Sequence, residues 1–424
     1  MLSADYMRSL LPVSTGLSAA EIAENIPQAL RDASVFSARN VYVGHISDTQ
    51  ADIAKALEGG MSAAEVRGLM KLRLRKLGFA PSESDQGGLK DLSSDVRTSL
   101  VVSHQMQRAS GYAQWRAGQD ETVLDAFPGQ EMYRAGAPKV PRDWQDRWNK
   151  ARESLGPATS ALEASSRNGP FFALKNDPIW IHPAVNRFGS PFPPFDYNSS
   201  MRVRNVGRRK CRELGLLKDD ALSKDLLRPA RDPMDGNVVS SSASGMDQEL
   251  VKSWADSFGD RARVYTGRDG LPRVAVAPPA DAIARVVEAA SSGNAKATAA
   301  FGFPSRPALD EIGAAIGKPV RPEAPLQADA DTVRHIIKSH GSEARAGQRP
   351  ITADDIKAIP ATLSGPGRWR ASSDQEKAGY SGDAATFVAD SGERVCFRIT
   401  GGKNDPRLSL KTLYAQKEKD RPAD

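Results

Sequence analysis

At 424 residues the chain is long enough for two or three domains. A 40% hydrophobic share with 35 glycines and 28 prolines describes a wet, loop-rich protein and excludes one that is disordered throughout. The net charge of +6 is a mild basic excess, compatible with nucleic acid or an acidic protein surface and specific to neither.

The two cysteines, Cys211 and Cys396, form no CxxC pair. That argues against a structural zinc site or a disulfide framework and makes a reducing compartment the default expectation. The first residues, MLSADYMRSLLPVSTGLSAAEIAENI, carry Asp5, Glu21 and Glu24 and lack a long apolar run, so they do not read as a signal peptide. No segment has the apolar length of a membrane span.

The first part of the chain reads as helical. LSAAEIAENIPQAL offers Ser18 as an N-cap with Glu21 three residues on, a capping box. In VFSARNVYVGHISDTQADIAKALEGG, Ile53, Ala56 and Leu57 share a helical face and Gly59-Gly60 ends the element. MSAAEVRGLMKLRLRKLGF repeats the logic: Ser62 caps, Glu65 closes the box, and Val66, Leu69, Met70 and Leu77 line a face. DLSSDVRTSLVVSHQMQRASGYAQWRAG predicts one longer helix from about Ser93 to Arg116.

From Phe127 to Arg212 the periodicity is poor and Pro, Trp, Phe and Arg are dense, so this stretch is either loop-rich or a small mixed α/β unit. Residues 218–325 contain the polar run SSSASG, a short helix candidate around Gln248–Phe258 and a hairpin candidate at RVYTGRDGLPRVAV. The stretch from about Pro304 to Ala328 reads as a linker that contains one short helix candidate, ALDEIGAAIG.

The last hundred residues read as a separate small domain. DADTVRHIIKSHG predicts a helix stopping at Gly341. ITADDIKAIP predicts a second, with Thr352 capping, Asp355 closing the box and Pro360 terminating it. Three strands are expected in AATFVAD, ERVCFRIT and RLSLKTLYA, the first two joined by Asp390-Ser391-Gly392. The fold class is therefore α+β and multidomain. A helical N-terminal region with a loop-rich α/β unit fills 1–217, a linker region with short elements fills 218–325, and a small domain of helices on an antiparallel sheet fills 326–424.

Two of the five histidines, His335 and His340, fall on the first helix of that domain. Five residues apart on a helix they lie about 140° from each other, so the i,i+4 spacing of a helical zinc pair is absent and no metal is expected. One reading is plain: a histidine at a helix C-terminus is stabilised by the macrodipole. The other is chemical. Histidine exchanges protons near neutral pH, and RNA cleavage by its own 2′-hydroxyl needs a base, an acid and a partner for the phosphorane charge. Candidates for that partner are Lys411, Thr412 and Tyr414 on the last strand, with Arg345 and Arg349 in the loop.

The order HIIKSHG, Glu343, Gly347-Gln348, Pro350-Ile351-Thr352, Asp355-Ile356, Ile359-Pro360 and the terminal LKTLYA resembles the phage-associated nuclease domains of the Barnase–EndoU–Colicin E5/D–RelE type, over about Leu326–Lys417. That resemblance implies a helical layer on an antiparallel sheet, with His335, His340 and Thr412 as the leading active-site positions.

KNDPIWIHPAVNRFGSPFPPFDYNSSMRVRNVGRRKCRELGL, residues 175–216, resembles the signature of Mu F-like head-morphogenesis, or minor capsid, proteins of tailed phages. Pro193-Pro194-Phe195, Tyr197-Asn198 and Met201–Arg204 stand at the matching places, and GYAQWRAGQDE and PRDWQDRW add to the likeness. Ser199 and Ser200 stand near where that family has cysteine, so no metal or thiol role carries over. Trp180, His182 and Phe188 read equally as core of a loop-rich unit, with His182 satisfying a backbone group. The basic run Arg202, Arg204, Arg208, Arg209, Lys210 and Arg212 is either a DNA- or portal-facing surface or a solvated face. His45 and His104 lie in helical patterns and receive no role.

Two functions follow from the resemblances. The first is a phage or prophage minor capsid protein, in the virion and later the bacterial host cytoplasm, with portal and major capsid proteins as partners and DNA met during packaging. Its C-terminal domain would be a cofactor-free, metal-independent ribonuclease acting on RNA. The alternative is a purely structural head- or portal-associated protein whose C-terminal domain is an inactive binding module. A free-standing toxin fits poorly with the capsid-like segment.

Overall fold

A computed structural model describes residues 2–136, 142–197, 199–217, 238–243, 246, 251, 259–278, 282–293, 297–341, 348–377, 379–401 and 407–415. The chain divides into two compact units, Met1–Pro233 and Met234–Asp424. Both mix helices with sheet, as the α+β reading expects. No helix among the described residues is long and apolar enough to cross a membrane.

In the first unit the reciprocal capping boxes at Ser18/Glu21 and Ser62/Glu65 both form. The helix after Ser18 is shorter than its sequence pattern. It spans Ala19–Asn25, Ile26 is extended, and a new helix runs Gln28–Asp32. Pro27 explains the break, because a proline disfavours the helical conformation in the residue before it. Helices Val43–Leu57, Ala63–Lys76 and Asp95–Ala117 follow. The face of the second carries Val66, Met70 and Leu74, whereas Leu77, expected to line it, lies past the last turn and is 49% exposed. Strands β1 (Leu11–Val13) and β2 (Ser34–Phe36) pair in parallel.

The Phe127–Arg212 region is a small mixed unit. Strands β3 (Gly129–Arg134), β4 (Phe171–Leu174) and β5 (Met201–Val206) form an antiparallel sheet in the order β4-β3-β5. Helix Trp144–Leu155 buries Trp144 and Trp148, one turn apart, against Phe171, Trp180 and Phe195. The indole N–H groups of Trp148 and Trp180 donate to the carbonyls of Leu162 and Leu174 at 2.8 and 2.7 Å, so these rings bury area without leaving a polar atom unmet. His182 is half-buried, and its Nδ1 accepts from the Ala184 N–H at 3.2 Å.

The second unit begins with β6 (Val239–Ser242), β7 (Ala262–Thr266) and β8 (Pro272–Val276), an antiparallel sheet in the order β6-β8-β7 that contains the expected hairpin. The helix candidate around Gln248–Phe258 lies outside the described residues, apart from Val251. Beyond it run helix Ala282–Ser291, β9 (Thr298–Gly302), helix Arg306–Ile316, β10 (Leu326–Asp329), helix Ala330–His340, the short helices Ala353–Lys357 and Ile359–Ser364, β11 (Gly367–Ala371), helix Asp374–Lys377, β12 (Ala384–Ala389), β13 (Arg394–Thr400) and β14 (Arg407–Tyr414). The sheet order is β11-β12-β13-β14-β10-β9; β10 and β14 run parallel and every other neighbour is antiparallel.

This sheet corrects the boundary expected at residue 326. Strand β9 pairs with β10 across that position, and Ile283, Val286 and Phe301 share one core with Val333, Ile336, Phe397 and Leu408. The stretch read as a linker is instead a Ser305-capped helix followed by a central strand. A further correction concerns Pro360. It opens the helix Ile359–Ser364 instead of ending the one before, because a first-turn residue needs no N–H.

Candidate active site on the polar face of the C-terminal sheet

A β-bulge sets the site. Phe397 pairs with Leu410 and Cys396 with Thr412, which leaves Lys411 as the extra residue of β14. Before it, Leu408 and Leu410 face the helix-covered core; after it, Leu413 and Ala415 do. The slip keeps both ends of the strand anchored and turns Thr412 and Tyr414 to the opposite face. On β13, Val395 and Phe397 belong to the core, so Arg394, Cys396 and Arg398 share that opposite face.

The face is polar and closely bonded. The Ser372 hydroxyl contacts Thr386 Oγ1 at 2.9 Å and Cys396 Sγ at 3.2 Å. Glu376, only 2% exposed, receives both Nη groups of Arg370 at 2.8 and 2.6 Å, the Ser373 N–H at 2.8 Å and the Thr386 hydroxyl at 3.2 Å. Burial pushes its pKa up, but the Arg370 and Ser373 hydrogen bonds outweigh that and hold it below the usual carboxylate value. Arg394 Nη1 is 3.7 Å from the same carboxylate, and its guanidinium lies 5.1 Å from the centroid of the Tyr414 ring. Burial raises the Cys396 thiol and the Tyr414 phenol, so both stay protonated at neutral pH.

His340 reaches this face from the helix end. Asp329 caps the helix by accepting the Thr332 N–H at 2.7 Å, and Ala330, Val333 and Ile336 bury its inner side. The Gly341 N–H closes the last turn on Ile337, and the Ile351 N–H donates to the His340 carbonyl at 2.9 Å. A Cβ at 341 would collide with the Ile337 carbonyl oxygen, which explains the glycine. Held in this way, His340 Nε2 stands 3.3 Å from Thr412 Oγ1, and its ring lies 5.4 Å from that of Tyr414 at 66°.

Of the sequence candidates, His340, Thr412 and Tyr414 come together. His335 is exposed and, among the described residues, has no hydrogen bond, ion pair or ring contact; the two histidines do not form a pair. The geometry departs from the expected two-histidine arrangement for the reason visible in the spacing, a rotation of about 140° around one helix. Lys411 is half-buried in the bulge. Arg349 donates to Asp355 from both Nη groups at 2.8 and 2.6 Å, and its backbone N–H holds the Ala415 carbonyl at 3.1 Å, tying the loop to the end of β14. Arg345 lies outside the described residues.

The basic run of the first unit is largely ion-paired. Arg204 chelates Glu131 across β3 and β5 at 2.9 and 2.7 Å, Arg208 pairs with Asp125, and Arg209 lies 3.7 Å from Glu213, which Lys210 approaches at 3.2 Å. Arg202 is exposed on β5.

Sequence reasoning missed Arg370, Glu376, Arg394 and Arg398. A signal was present in ERVCFRIT, where Arg394, Cys396 and Arg398 alternate with Val395 and Phe397 and so share one face of any strand. Among the described residues, no group of three or more His, Cys, Asp or Glu side chains stands close enough to hold a metal ion. Comparison with protein-family models, curated proteins and solved structures finds no match for this chain.

Proposed function

We propose that the chain is a phage or prophage minor capsid protein whose C-terminal unit cleaves RNA by attack of its own 2′-hydroxyl. The observation that carries the catalytic part is the meeting of His340, Thr412, Tyr414 and Arg394 on one polar face. His340 accepts the 2′-hydroxyl proton as that oxygen bonds to phosphorus. The bond from phosphorus to the 5′-oxygen breaks, and the protonated Tyr414 phenol supplies the proton to the leaving oxygen. Arg394 receives the charge of the phosphorane, and Thr412 holds the His340 ring. The products are a 2′,3′-cyclic phosphate and a 5′-hydroxyl.

The capsid part rests on the likeness of residues 175–216 to the minor head proteins. It implies portal and major capsid proteins as partners, with DNA passing during packaging. Finding the chain in purified particles by mass spectrometry supports it; its absence from them counts against it.

One observation favours the second reading, an inactive binding module. Arg370 and Arg394 both face Glu376, which takes up part of their charge. The full-length protein with a fluorescent RNA and EDTA distinguishes the two. Cleavage to 2′,3′-cyclic ends that disappears in His340→Ala supports the ribonuclease. A folded protein that retains RNA on a filter without cutting it supports the binding module.

A further inference from the structure

The first unit contains a cavity of about 420 Å³ that the proposed function does not use. Its volume falls in the range of about 300–1,000 Å³ typical of small-molecule sites. One face of the helix Asp95–Ala117 builds a wall: Arg97, Val101, His104 and Arg108 recur at spacings of three and four and all line it. The segment around Phe188–Tyr197 builds an adjoining wall. Gly111 lets that segment approach, since a Cβ there would collide with the Pro193 carbonyl oxygen.

Seven Lys and Arg side chains line the cavity against one carboxylate, Asp32; two of the seven are paired outside it, Arg142 with Asp196 and Lys90 with Asp85. Arg97 has no carboxylate in ion-pair range among the described residues. Its Nη2 donates to Ser37 Oγ at 3.0 Å and the Ala38 carbonyl at 2.8 Å, and its Nε is buried without a partner. The Nε of Arg31 and the Nε2 of His104 are likewise buried and unpartnered among the described residues. Burial lowers the pKa of both arginines, which reflects cations removed from water without a full counter-charge. An anion would supply that charge. Where the two walls meet the lining is aromatic: the His104 ring lies 4.8 Å from Phe188 and 5.2 Å from Tyr197.

We propose that this cavity binds a small aromatic anion, with its acidic group on Arg97 and Arg31 and its ring against Leu100, His104 and Phe188. A flat ring fits the aromatic wall, and the excess of guanidinium charge on the lining selects an acid over a neutral ring.

The test uses the full-length protein and two probes with the same aromatic rings, 1-anilinonaphthalene-8-sulfonate and the uncharged N-phenyl-1-naphthylamine. The sulfonate is expected to bind saturably with one equivalent. Arg97→Ala is expected to weaken it about ten-fold or more, the loss of a charge-assisted contact, and to leave the uncharged probe within about two-fold. Leu100→Trp fills the space and is expected to abolish both. Arg97→Lys keeps the charge and the fold and is expected to fall between wild type and Arg97→Ala. Many weak equivalents, sulfonate binding indifferent to Arg97→Ala, or sulfonate binding that survives Leu100→Trp, would each overturn the proposal.

Discussion

His340 Nε2 and Thr412 Oγ1 meet at 3.3 Å across 72 residues of sequence, joining a helix end to the central strand β14. His335, on the same helix, has no hydrogen bond, ion pair or ring contact among the described residues. The two histidines therefore carry different expectations. His340→Ala should lower RNA cleavage about 10²-fold or more, the usual worth of a general base. His335→Ala should stay within about three-fold, as an exposed side chain without a partner among the described residues should. Thr412→Val should fall between them, because it removes the hydroxyl and keeps the shape. Single-turnover cleavage of a short RNA with EDTA measures all three. Equal losses in the two histidine variants would return His335 to the site.

Glu376 is the hinge of the polar face. It is 2% exposed and bonds Arg370, Ser373 and Thr386, with Arg394 at 3.7 Å. Glu376→Gln removes the charge that two arginines share. Arg370 is 36% exposed, so solvent screens the charge left behind and the loss is about 1–2 kcal/mol. The variant should unfold at clearly lower urea concentration, yet hold single-stranded RNA more tightly under native conditions, since Arg394 is released toward phosphate. Urea titration and filter binding read the two effects separately. A drop in both stability and RNA affinity would mean that Arg394 does not contact the nucleic acid.

The legible parts of this fold were those written in local chemistry. Ser18, Ser62 and Thr352 carry their capping partners three residues on, β12 and β13 are rich in β-branched and aromatic residues, and β14 alternates leucine with polar residues as far as its bulge. The missed strands β9 and β10, TAAFG and LQAD, are short and alanine-rich, with little strand preference of their own. Each is a strand because a neighbour pairs with it, and a pairing across 24 or more residues leaves no local trace. The site divides in the same way. His340 was marked by the glycine after it and Thr412 by the terminal strand. Glu376 was not, because its role comes from Arg370 on β11 and Arg394 on β13.

The Arg349–Asp355 pair fastens the segment around Arg349 beside the end of β14. Hydrogen bonds from Arg349, aided by the Thr352 cap, hold the Asp355 carboxyl down to about 2 from its ordinary 3.8. A depressed carboxylate contributes its stability above the unfolded value and loses it as pH falls through the folded one. The contribution should be intact at pH 5 and above and fade between about pH 4 and 2. Arg349 is 38% exposed, so screening reduces the pair to about 1 kcal/mol. Asp355→Asn should lower the melting temperature at pH 7 by a few degrees and reduce the difference from wild type at pH 2.5. A difference that grows on acidification would contradict the assignment.

His104 makes the first unit acid-sensitive in the opposite part of the scale. Burial, with Arg108 nearby and only Asp196 opposing, lowers its pKa from 6.5 to about 4. The unfolded chain takes up the proton near 6.5 while the folded one resists it until about 4. Stability is therefore complete above the unfolded value and falls as pH drops between the two, at up to about 1.4 kcal/mol per pH unit. His45, also lowered mainly by burial, adds in the same sense, and Asp32, whose carboxyl burial raises, opposes it at the acid end. His104→Leu keeps an apolar side chain against Phe188 and Tyr197 and removes the titrating group. Urea unfolding from pH 7.5 to 4.5, followed by tryptophan fluorescence, reports mainly on this unit, because Trp115, Trp144, Trp148 and Trp180 are four of the six tryptophans. The variant should lose most of the wild-type slope between pH 6.5 and 4.5. An unchanged slope would mean that His104 is protonated as readily in the folded unit as in the unfolded chain, and the apolar cavity wall would have to admit water to its ring.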